Sequence, residues 1–325
     1  MSLSQMNQQL AIGIDIGGTN TVFGLVDARG DILYRGAIST KQNGTIDQYI
    51  DALHAAITPA IREVGGAGRI KGIGIGAPNG NYYKGTIEYA PNLEWKGIIP
   101  LAELVSKKFE VPAALTNDAN AAAVGEMMYG AAKGMKDFIM ITLGTGVGSG
   151  IVANGQLIYG HDGFAGELGH TIIIPNGRLH WGTGAHGSLE AYASATGVVL
   201  TAKEFLEASK EPGLLRKIAL KDLNSKAIYE AAVKKDKLAL EVYNYTGKIL
   251  GQALANFVMF SSPEAIILFG GLTKAGDMLL VPTRKSMEEN LLPIFQDKVK
   301  LIFSQLNVSD AAILGASALV WEIKV

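Results

Sequence analysis

Short apolar runs alternate with amphipathic stretches along the chain, and this alternation is typical of an α/β protein. Runs rich in Ile, Val and Leu predict buried strands, whereas apolar residues three and four positions apart predict helices that bury one face. The predicted strands cover 11–16, 21–27, 31–39, 70–76, 111–115, 138–143, 151–153, 156–159, 264–269 and 299–304. The predicted helices cover 46–64, 101–109, 121–129, 188–194, 198–206, 226–235, 238–259, 278–290 and 311–322, with Ser188 as a candidate N-cap.

The stretch 111–150 carries the most informative chemistry. Its first strand ends at Asn117-Asp118, where an alanine-rich helix follows, so Asp118 is expected beside the free N–H groups of the first helical turn. Its second strand runs into residues 144–150, which have glycine at every second position and are predicted to form a loop. A carboxylate beside a glycine-lined cradle favours phosphoryl transfer, in which catalysis is mainly positioning and charge stabilisation.

A second glycine turn follows the first predicted strand. The sequence Asp15-Ile16-Gly17-Gly18-Thr19 offers backbone N–H groups for a phosphate and a carboxylate for a metal ion. The simpler interpretation is a tight hairpin in which Asp15 is only a turn residue. Residues 143–146 open a similar strand–turn–strand, so we expect two α/β halves that each contribute a glycine turn to a shared cleft.

Two polar segments are candidate sugar-binding elements. Asn92, Glu94 and Trp95 combine hydrogen-bonding groups with an apolar ring, which suits a sugar, but an ordinary loop would have the same composition. Glu167 and His170 stand three residues apart among glycines and are able to face one cavity. Carboxylates, amides and imidazoles are groups that form hydrogen bonds with hydroxyls.

Composition and charge narrow the class of protein. The 325 residues favour two domains, and 48% hydrophobic with 18% charged residues is typical of a globular protein. A net charge of −1 gives no basic footprint for nucleic acid or an anionic membrane surface. Cysteine does not occur, which excludes disulfides and thiol nucleophiles. The first ten residues lack the features of a signal peptide and no apolar run is long enough to span a membrane, so a cytoplasmic location is expected.

Several common catalytic and nucleotide-binding motifs do not occur. The sequence has no Walker pattern, which excludes a P-loop enzyme. The glycines at 144–150 lack the dinucleotide-binding spacing and are expected between two strands, which argues against a nicotinamide oxidoreductase. A nucleophile elbow of the Gly-x-Ser-x-Gly type and a His-Glu-x-x-His metal motif are also missing.

Five separated motifs resemble those of the ROK family (repressors, open reading frames, kinases), which has the two-domain actin-like ATPase, or ribonuclease H-like, sugar-kinase fold. The resemblance extends from about Ile12 to about Leu319. It implies an α/β protein with a central cleft, an N-terminal domain of 10–117 plus 311–325, and a C-terminal domain of 118–310. The motifs are Asp-Ile-Gly-Gly-Thr at 15–19, Asn-Asp-Ala-Asn at 117–120, Leu-Gly-Thr-Gly at 143–146, Gly-Glu-Leu-Gly-His at 166–170 and Gly-Gly at 270–271.

The resemblance also implies a role for each matching residue. Asp118 would be the general base that accepts the proton of the sugar hydroxyl, and Asp15 would lie near Mg²⁺, through water or phosphate. The residues that would bind or line the sugar are Gly76, Ala77, Asn92, Asn117, Asp118, Glu167, His170 and Glu190. The residues that would contact ATP are Gly17, Gly18, Thr19, Gly144, Thr145, Gly146, Gly270 and Gly271.

One part of the family pattern is missing. The family's loop reads Cys-x-Cys-Gly-x-x-Gly-Cys-Leu-Glu and binds structural zinc with the preceding histidine, whereas Trp181, Thr183 and Ser188 replace the cysteines here. Because zinc requires four strong ligands, no structural zinc is expected. We expect the loop to hold by packing around Trp181 and by hydrogen bonds, which leaves His170 to the sugar. The less favoured alternative is a histidine-rich site rebuilt from His170, His180 and His186.

The activity implied by the resemblance is ATP-dependent phosphorylation of a hexose at its 6-hydroxyl. Glucose is the first choice, N-acetylglucosamine or N-acetylmannosamine is the second, and a broad hexokinase that accepts several of these sugars is a further alternative. A sugar-sensing repressor of the family would carry a DNA-binding domain ahead of Asp15, which only 14 residues precede. An actin-like ATPase would share the phosphate loops but would not need Glu167, His170 and Glu190. The expected partners are ATP, Mg²⁺, the hexose and a second copy of the chain, without nucleic acid or membrane.

Overall fold

The computed structural model describes residues 8–322, and two five-stranded sheets form its frame. The strands are β1 (Leu10–Ile16), β2 (Asn20–Asp27), β3 (Ile32–Ser39), β4 (Ile70–Ala77), β5 (Gly80–Asn81), β6 (Thr86–Glu88), β7 (Ile98–Ile99), β8 (Ala113–Asn117), β9 (Phe138–Leu143), β10 (Val147–Ala153), β11 (Gln156–Leu157), β12 (Ala265–Phe269) and β13 (Lys300–Phe303). The helices are α1 (Ile46–Glu63), α2 (Leu101–Phe109), α3 (Asp118–Tyr129), α4 (Glu190–Ala193), α5 (Ala195–Ala208), α6 (Ser225–Val233), α7 (Lys237–Ser261), α8 (Asp277–Asn290) and α9 (Val308–Glu322). None of the helices within residues 8–322 combines the length and apolarity that a membrane crossing requires.

The two sheets repeat one plan. In the first, ordered β3-β2-β1-β4-β8, the first three strands form an antiparallel meander and the last two run parallel to β1. In the second, ordered β11-β10-β9-β12-β13, β9 to β11 form the meander and the last two strands run parallel to β9. This repetition confirms the expectation of two similar α/β halves.

Helix α1 shows how the apolar pattern produces the core. Tyr49, Leu53 and Ile57 recur at helical spacing and are fully buried. The helix begins with a capping box, in which Thr45 Oγ1 accepts from the Gln48 N–H and Gln48 Oε1 accepts from the Thr45 N–H. The capping box and the buried apolar face therefore both stabilise this helix.

The last helix, α9, returns to the first sheet. A Cβ atom at Gly13 of β1 would overlap the carbonyl oxygen of Ile313, and one at Gly74 of β4 would overlap that of Ala316. Glycine at both strand positions therefore lets the backbone of α9 lie directly on the sheet. The domain bounds 10–117 plus 311–325 and 118–310 stay a prediction, and residues 323–325 lie outside the described part of the chain.

The loop predicted at 144–150 is wrong in its second half, because β10 begins at Val147. A Cβ atom at Gly148 would lie 2.9 Å from the Ala119 Cβ, and one at Gly150 would lie 2.7 Å from the Ala123 Cβ. The glycines are therefore strand residues that allow α3 to pack closely on β10.

The predicted starts of two helices also need correction. Helix α3 begins at Asp118 instead of residue 121, because the Asn117 side chain caps it. Ser188 is not an N-cap: α4 begins at Glu190, and the Ser188 hydroxyl is buried without a hydrogen-bond partner among the described residues. Ser194 caps the following helix, α5, by accepting from the Gly197 N–H at 2.9 Å.

A small three-stranded sheet, β5-β6-β7, lies beside the first large sheet and was not predicted. Its strands span two or three residues each, which is too short for an alternating pattern to be recognised.

Candidate functional site

Three strand ends of the first sheet meet at one place. Asp15 of β1 pairs with Gly76 of β4, and Ala77 of β4 pairs with Asn117 of β8. A Cβ atom at Gly76 would lie 3.4 Å from Asp15 Oδ1 and 3.7 Å from the Asp118 Cα. Asp15 and Asp118 thus flank Gly76 at the carboxyl ends of parallel strands, the edge at which α/β sheets usually bind ligands.

Hydrogen bonds at the start of α3 fix the position of Asp118. Asn117 Oδ1 accepts from the N–H of Ala119 at 2.7 Å and of Asn120 at 3.4 Å. Asp118 Oδ1 accepts from the same Ala119 N–H at 2.8 Å. The bifurcated bond holds the Asp118 carboxylate at the helix N-terminus, where backbone N–H groups favour negative charge.

The two aspartates are electrostatically strained. Burial raises the pKa of Asp15 to about 7, and the charge of Asp118 adds to the increase. Desolvation also raises the pKa of Asp118, against the lowering effect of the Ala119 N–H, although the side chain is open to solvent through the cleft. Protein atoms crowd the carboxylate while one side stays accessible, so a substrate hydroxyl is able to reach it. Both aspartates line a cavity of about 210 Å³ together with Ala119 and Thr142.

Paired carboxylates in a partly dry cavity fit a small, hard divalent cation, which takes oxygen ligands. Asp15 supplies such an oxygen beside Asp118, and a cation there would offset both the burial and the repulsion by Asp118 that raise the pKa of Asp15. The donor set of this cavity is therefore compatible with Mg²⁺.

Glu167 and His170 face the same region from the other half of the molecule. A short turn, Leu168–His170, brings Glu167 Oε2 to 3.9 Å from His170 Nε2, and both side chains remain exposed. Burial raises the pKa of Glu167; the charge of His170 opposes this increase, while the charges of Asp118 and Glu190 add to it. These interactions identify Glu167, His170, Asp118 and Glu190 as one group of polar side chains.

Glu190 is held by both of its carboxylate oxygens. Oε2 accepts from the Val147 N–H at 2.7 Å, and Oε1 lies 2.6 Å from Nε2 of His180. A Cβ atom at Gly146 would overlap Oε2, so the glycine makes this approach possible. Glu190 consequently joins the predicted sugar residues to the glycine turn at 144–146.

The glycine turns predicted to bind ATP lie against other predicted site residues. A Cβ atom at Gly18 would lie 2.9 Å from the carbonyl oxygen of Asn92, so the first turn contacts the Asn92 segment. Gly144, Thr145 and Gly271 line a cavity of about 320 Å³. Gly270 adopts a φ of 107° beside Leu143, a conformation that favours glycine.

Sequence reasoning missed the far wall of the 320 Å³ cavity. The first residue of α5 and side chains of α6 and α7 form that wall with a lysine that follows β12. These elements carry no nucleotide-binding motif. They are recognised as part of the candidate nucleotide site only because the folded chain brings them next to Gly144. The residues are Ala195, Ser225, Lys226, Tyr229, Tyr243 and Lys274.

The segment 92–95 is only partly available to a ligand. Trp95 is 8% exposed, and its ring lies 4.5 Å from the Tyr49 ring, so it is a core residue. The prediction that Trp95 offers an apolar face to a sugar is therefore wrong. Asn92 and Glu94 are exposed.

The loop that replaces the family's cysteine segment is organised around His180. The His180 ring is buried at 3% exposure, stacks on Trp181 at 4.4 Å and meets the His170 ring edge-on at 5.5 Å. His186 turns elsewhere, with Nδ1 at 3.0 Å from the Gly177 oxygen. The three-histidine alternative is therefore not assembled. Instead, one candidate ligand atom from each of His170, His180 and Glu190 lies within 4.8 Å of the others.

The comparisons with known proteins agree with this geometry. The ROK family model matches residues 11–323. A glucokinase of Halalkalibacterium halodurans is 35% identical over 97% of this chain and 96% of its own, and a xylose repressor of Bacillus spizizenii is 31% identical over 96% and 77%. The crystal structure of a ROK family glucokinase from Streptomyces griseus, in complex with glucose and AMPPNP, superposes with a TM-score of 0.79 at 35% identity, covering 97% of this chain and 100% of that one.

These matches confirm the expected fold class, since the solved ROK glucokinase shares the architecture over nearly the whole chain. They also confirm the resemblance drawn from the five motifs, because the family model spans all of them. The chain belongs to the ROK family.

Proposed function

We propose that this protein is an ATP-dependent sugar kinase that transfers the γ-phosphoryl group of ATP to the 6-hydroxyl of glucose. The observation that carries the proposal is the position of Asp118, held at a helix N-terminus with a raised pKa at the open edge of the first sheet. The glucokinase relatives, at 34–37% identity over nearly the full chain, support glucose as the acceptor. The AMPPNP in the Streptomyces griseus structure supports ATP as the donor.

In this mechanism Asp118 orients the 6-hydroxyl oxygen toward the γ-phosphorus and accepts its proton as the new P–O bond forms. A carboxylate of ordinary pKa, about 3.9, is a weak base, and the desolvation that raises the pKa of Asp118 makes it a stronger one. The bond between the γ-phosphorus and the bridging oxygen breaks as ADP leaves. Closure of the two halves around the sugar would exclude water from the reaction.

We assign the other hydroxyls of the sugar to side chains around Asp118. The carboxylates of Glu167 and Glu190 accept hydrogen bonds only, so they suit hydroxyl donors. The amide side chains pair with hydroxyls in either direction, and two small residues leave room for the ring. The complete set is Gly76, Ala77, Asn92, Asn117, Glu167, His170 and Glu190.

The phosphates of ATP would lie against the two glycine turns, Gly17-Gly18-Thr19 and Gly144-Thr145-Gly146, whose backbone N–H groups favour anions. The 320 Å³ cavity beside the second turn would hold the nucleoside, with Gly270 and Gly271 next to it. Asp15 would lie near Mg²⁺, through water or phosphate, and the ion when bound offsets the negative charge of the phosphates. No role for zinc is proposed.

An ADP-release assay with MgATP tests the proposal. We expect turnover with glucose, and loss of that turnover in Asp118→Asn. Mannose, fructose, N-acetylglucosamine and N-acetylmannosamine in parallel decide the acceptor, because an N-acetylhexosamine preferred over glucose would establish the second choice. If no sugar is turned over, and any ATP hydrolysis does not depend on Asp118, the kinase proposal is wrong.

A sugar-sensing role is the second candidate, and the similarity to a xylose repressor is the observation that favours it. The net charge of −1 gives no electrostatic footprint for DNA, and Asp118 supplies a base that sensing does not need. A filter-binding assay with duplex DNA at low salt, with and without sugar, distinguishes the two functions.

We also propose a cytoplasmic homodimer whose partners are ATP and the sugar, without nucleic acid or membrane. Exposed apolar side chains on α7 and in the segment after α8 support self-association, notably Phe260 at 85% and Ile294 at 62% exposure. Light scattering would test the dimer. Hydrogen exchange would test the domains proposed at 10–117 plus 311–325 and at 118–310, since separate domains are expected to open as separate cooperative units.

A further inference from the structure

His180 occupies an unusual place for a side chain that lies outside the five motifs. It lies at 3% exposure beneath Trp181, next to two predicted sugar residues, His170 and Glu190. A buried polar ring needs a partner for each nitrogen. Both nitrogens of His180 have such partners. One nitrogen faces Glu190, and the other faces the backbone of the loop at 182–183.

The partners of Nδ1 decide where the ring carries its hydrogen. Nδ1 lies 3.2 Å from the Gly182 N–H and 3.0 Å from the Thr183 N–H. Backbone N–H groups only donate, so Nδ1 is the acceptor nitrogen. The Thr183 hydroxyl, 3.0 Å away, is able to donate to the same atom. The ring hydrogen therefore lies on Nε2.

That hydrogen points at Glu190. Nε2 lies 2.6 Å from Glu190 Oε1, so His180 donates a charge-assisted hydrogen bond to the carboxylate. The second oxygen, Oε2, accepts from the Val147 N–H at 2.7 Å. With one donor on each oxygen, the carboxylate has a fixed orientation and still has lone pairs for sugar hydroxyls.

The residues here do not fit the zinc site that the family implies. Trp181, Thr183 and Ser188 stand at the thiolate positions, and none of them is a strong zinc ligand. His170, His180 and Glu190 come close together but number only three, and both ring nitrogens of His180 are already engaged in hydrogen bonds. The residues present therefore do not form a structural zinc site.

We propose that His180 is the positioning residue for sugar binding in this protein. Its Nε2–H donates to the Glu190 carboxylate and fixes its orientation. Its Nδ1 accepts hydrogen bonds from the backbone N–H groups of Gly182 and Thr183. One buried imidazole thus orders the loop and a sugar-binding carboxylate through hydrogen bonds alone. This inference rests on the proposed role of Glu190 in the sugar site.

Three substitutions separate the two hydrogen bonds. His180→Ala removes both. His180→Gln keeps an amide N–H at the reach of Nε2 but loses the acceptor near the loop. His180→Asn keeps an acceptor near Nδ1 but no longer reaches Glu190. His186→Ala is the matched control, because His186 is an exposed histidine of the same loop that bonds the Gly177 oxygen instead of Glu190.

The measurements are KM and kcat for glucose, KM for ATP, and the Kd of glucose by calorimetry. For His180→Ala we expect the KM and Kd of glucose to rise roughly ten-fold or more, the scale of one lost hydrogen bond to a charged group. The KM of ATP should change little. His180→Gln should recover most of the glucose affinity, His180→Asn should not, and His186→Ala should match the unsubstituted protein.

Three results would overturn the inference. The first is an unchanged glucose Kd in His180→Ala, and the second is recovery by His180→Asn but not by His180→Gln, which would indicate loop support only. The third is stoichiometric zinc whose removal by a zinc-selective chelator in excess Mg²⁺ weakens glucose binding as much as His180→Ala does. Should His180→Ala fail to fold, the comparison of the Gln and Asn variants decides.

The calorimetry separates this inference from the proposed function. A protein that binds glucose without turning it over contradicts the kinase proposal, yet the Kd values of the variants still decide the role of His180. A protein that neither binds nor phosphorylates any sugar contradicts both.

Discussion

Asp15 and Asp118 come from different strands of the first sheet and flank Gly76, whose Cβ position lies 3.4 Å from Asp15 Oδ1 and 3.7 Å from the Asp118 Cα. The charge of Asp118 contributes to the raised pKa of Asp15. A proposed base and a proposed cation ligand therefore lie on either side of one glycine at the edge of the sheet.

Asp118→Asn should abolish most of the catalysis and leave folding intact. An amide still accepts from the Ala119 N–H, as Asp118 Oδ1 does at 2.8 Å, so the helix start is preserved. It does not accept a proton from the hydroxyl, and kcat should fall about 10²- to 10⁴-fold. Steady-state kinetics and a melting curve test this. A kcat within a few-fold of the unsubstituted value would show that Asp118 is not the base.

The pH dependence of kcat/KM should report the ionisation of Asp118. Because desolvation raises the pKa of Asp118, kcat/KM for glucose should decline on the acid side at a pH above the usual aspartate value of about 3.9. An acid limb at or below that value would mean that the proposed base is an ordinary, solvated carboxylate.

Asp15→Asn should stabilise the metal-free protein at alkaline pH. The folded-state pKa of Asp15, about 7, exceeds the unfolded value, so the ionised carboxylate destabilises the fold progressively from pH 4 to pH 7 and fully above pH 7. The free energy of unfolding at pH 8 should therefore rise by roughly 1–3 kcal/mol, with little change near pH 4.

Denaturant titrations in a chelator at both pH values measure this effect. Asp222→Asn, at an exposed surface aspartate, is the control. Equal gains at pH 4 and pH 8 would show that ionisation of Asp15 is not the cause. Activity should fall in Asp15→Asn at every pH, because a cation ligand is lost.

The sequence predicted much of this cleft, because its motifs are local. Asp15 and Asp118 each follow a recognisable apolar strand, and parallel strands place their carboxyl ends together. The extent of β10 was not predictable from its own residues. Gly148 and Gly150 looked like loop residues, and only the packing of Ala119 and Ala123 against them explains a glycine-rich strand.

The role of His180 was equally hidden from the sequence. The ring is defined by contacts with Glu190, ten residues further on, and with N–H groups of its own loop. No periodicity or family motif marks these contacts. For Trp95 the sequence suggested a functional role that the structure does not support. Its polar neighbours in the sequence indicated a sugar contact, but its ring packs in the core against Tyr49, which is distant in the chain.

Gly146→Ala should weaken glucose binding through Glu190. The added Cβ would overlap Glu190 Oε2, so the carboxylate must leave the Val147 N–H. We expect the Kd of glucose without nucleotide to rise about ten-fold. Gly144→Ala is the control for sugar binding, because a Cβ there meets no atom within 4 Å. Equal effects of the two substitutions would contradict a steric action on Glu190.

Gly13→Ala should destabilise the fold by separating α9 from the first sheet. The added Cβ would overlap the Ile313 carbonyl oxygen and lie 2.9 Å from the Ser317 nitrogen, and backbone atoms are unable to move aside without shifting the helix. Overpacking of this kind costs about 1–3 kcal/mol. Urea denaturation of Gly13→Ala against Gly68→Ala, where a Cβ meets nothing within 4 Å, measures the cost. A midpoint equal to that of the control would contradict the close packing.

Tyr229→Ala should weaken the binding of ATP without affecting the binding of glucose. The Tyr229 side chain lines the 320 Å³ cavity beside Gly144 and Gly271, away from the hydrogen-bonded group around Glu190. An aromatic contact with the adenine ring contributes about 0.5–1.5 kcal/mol beyond buried area, so the KM of ATP should rise roughly three- to ten-fold. Tyr89→Ala, at a tyrosine that is 70% exposed, is the control. If the KM of glucose rises instead, the cavity does not hold the nucleoside, and the phosphate turn at 144–146 must receive ATP from another side.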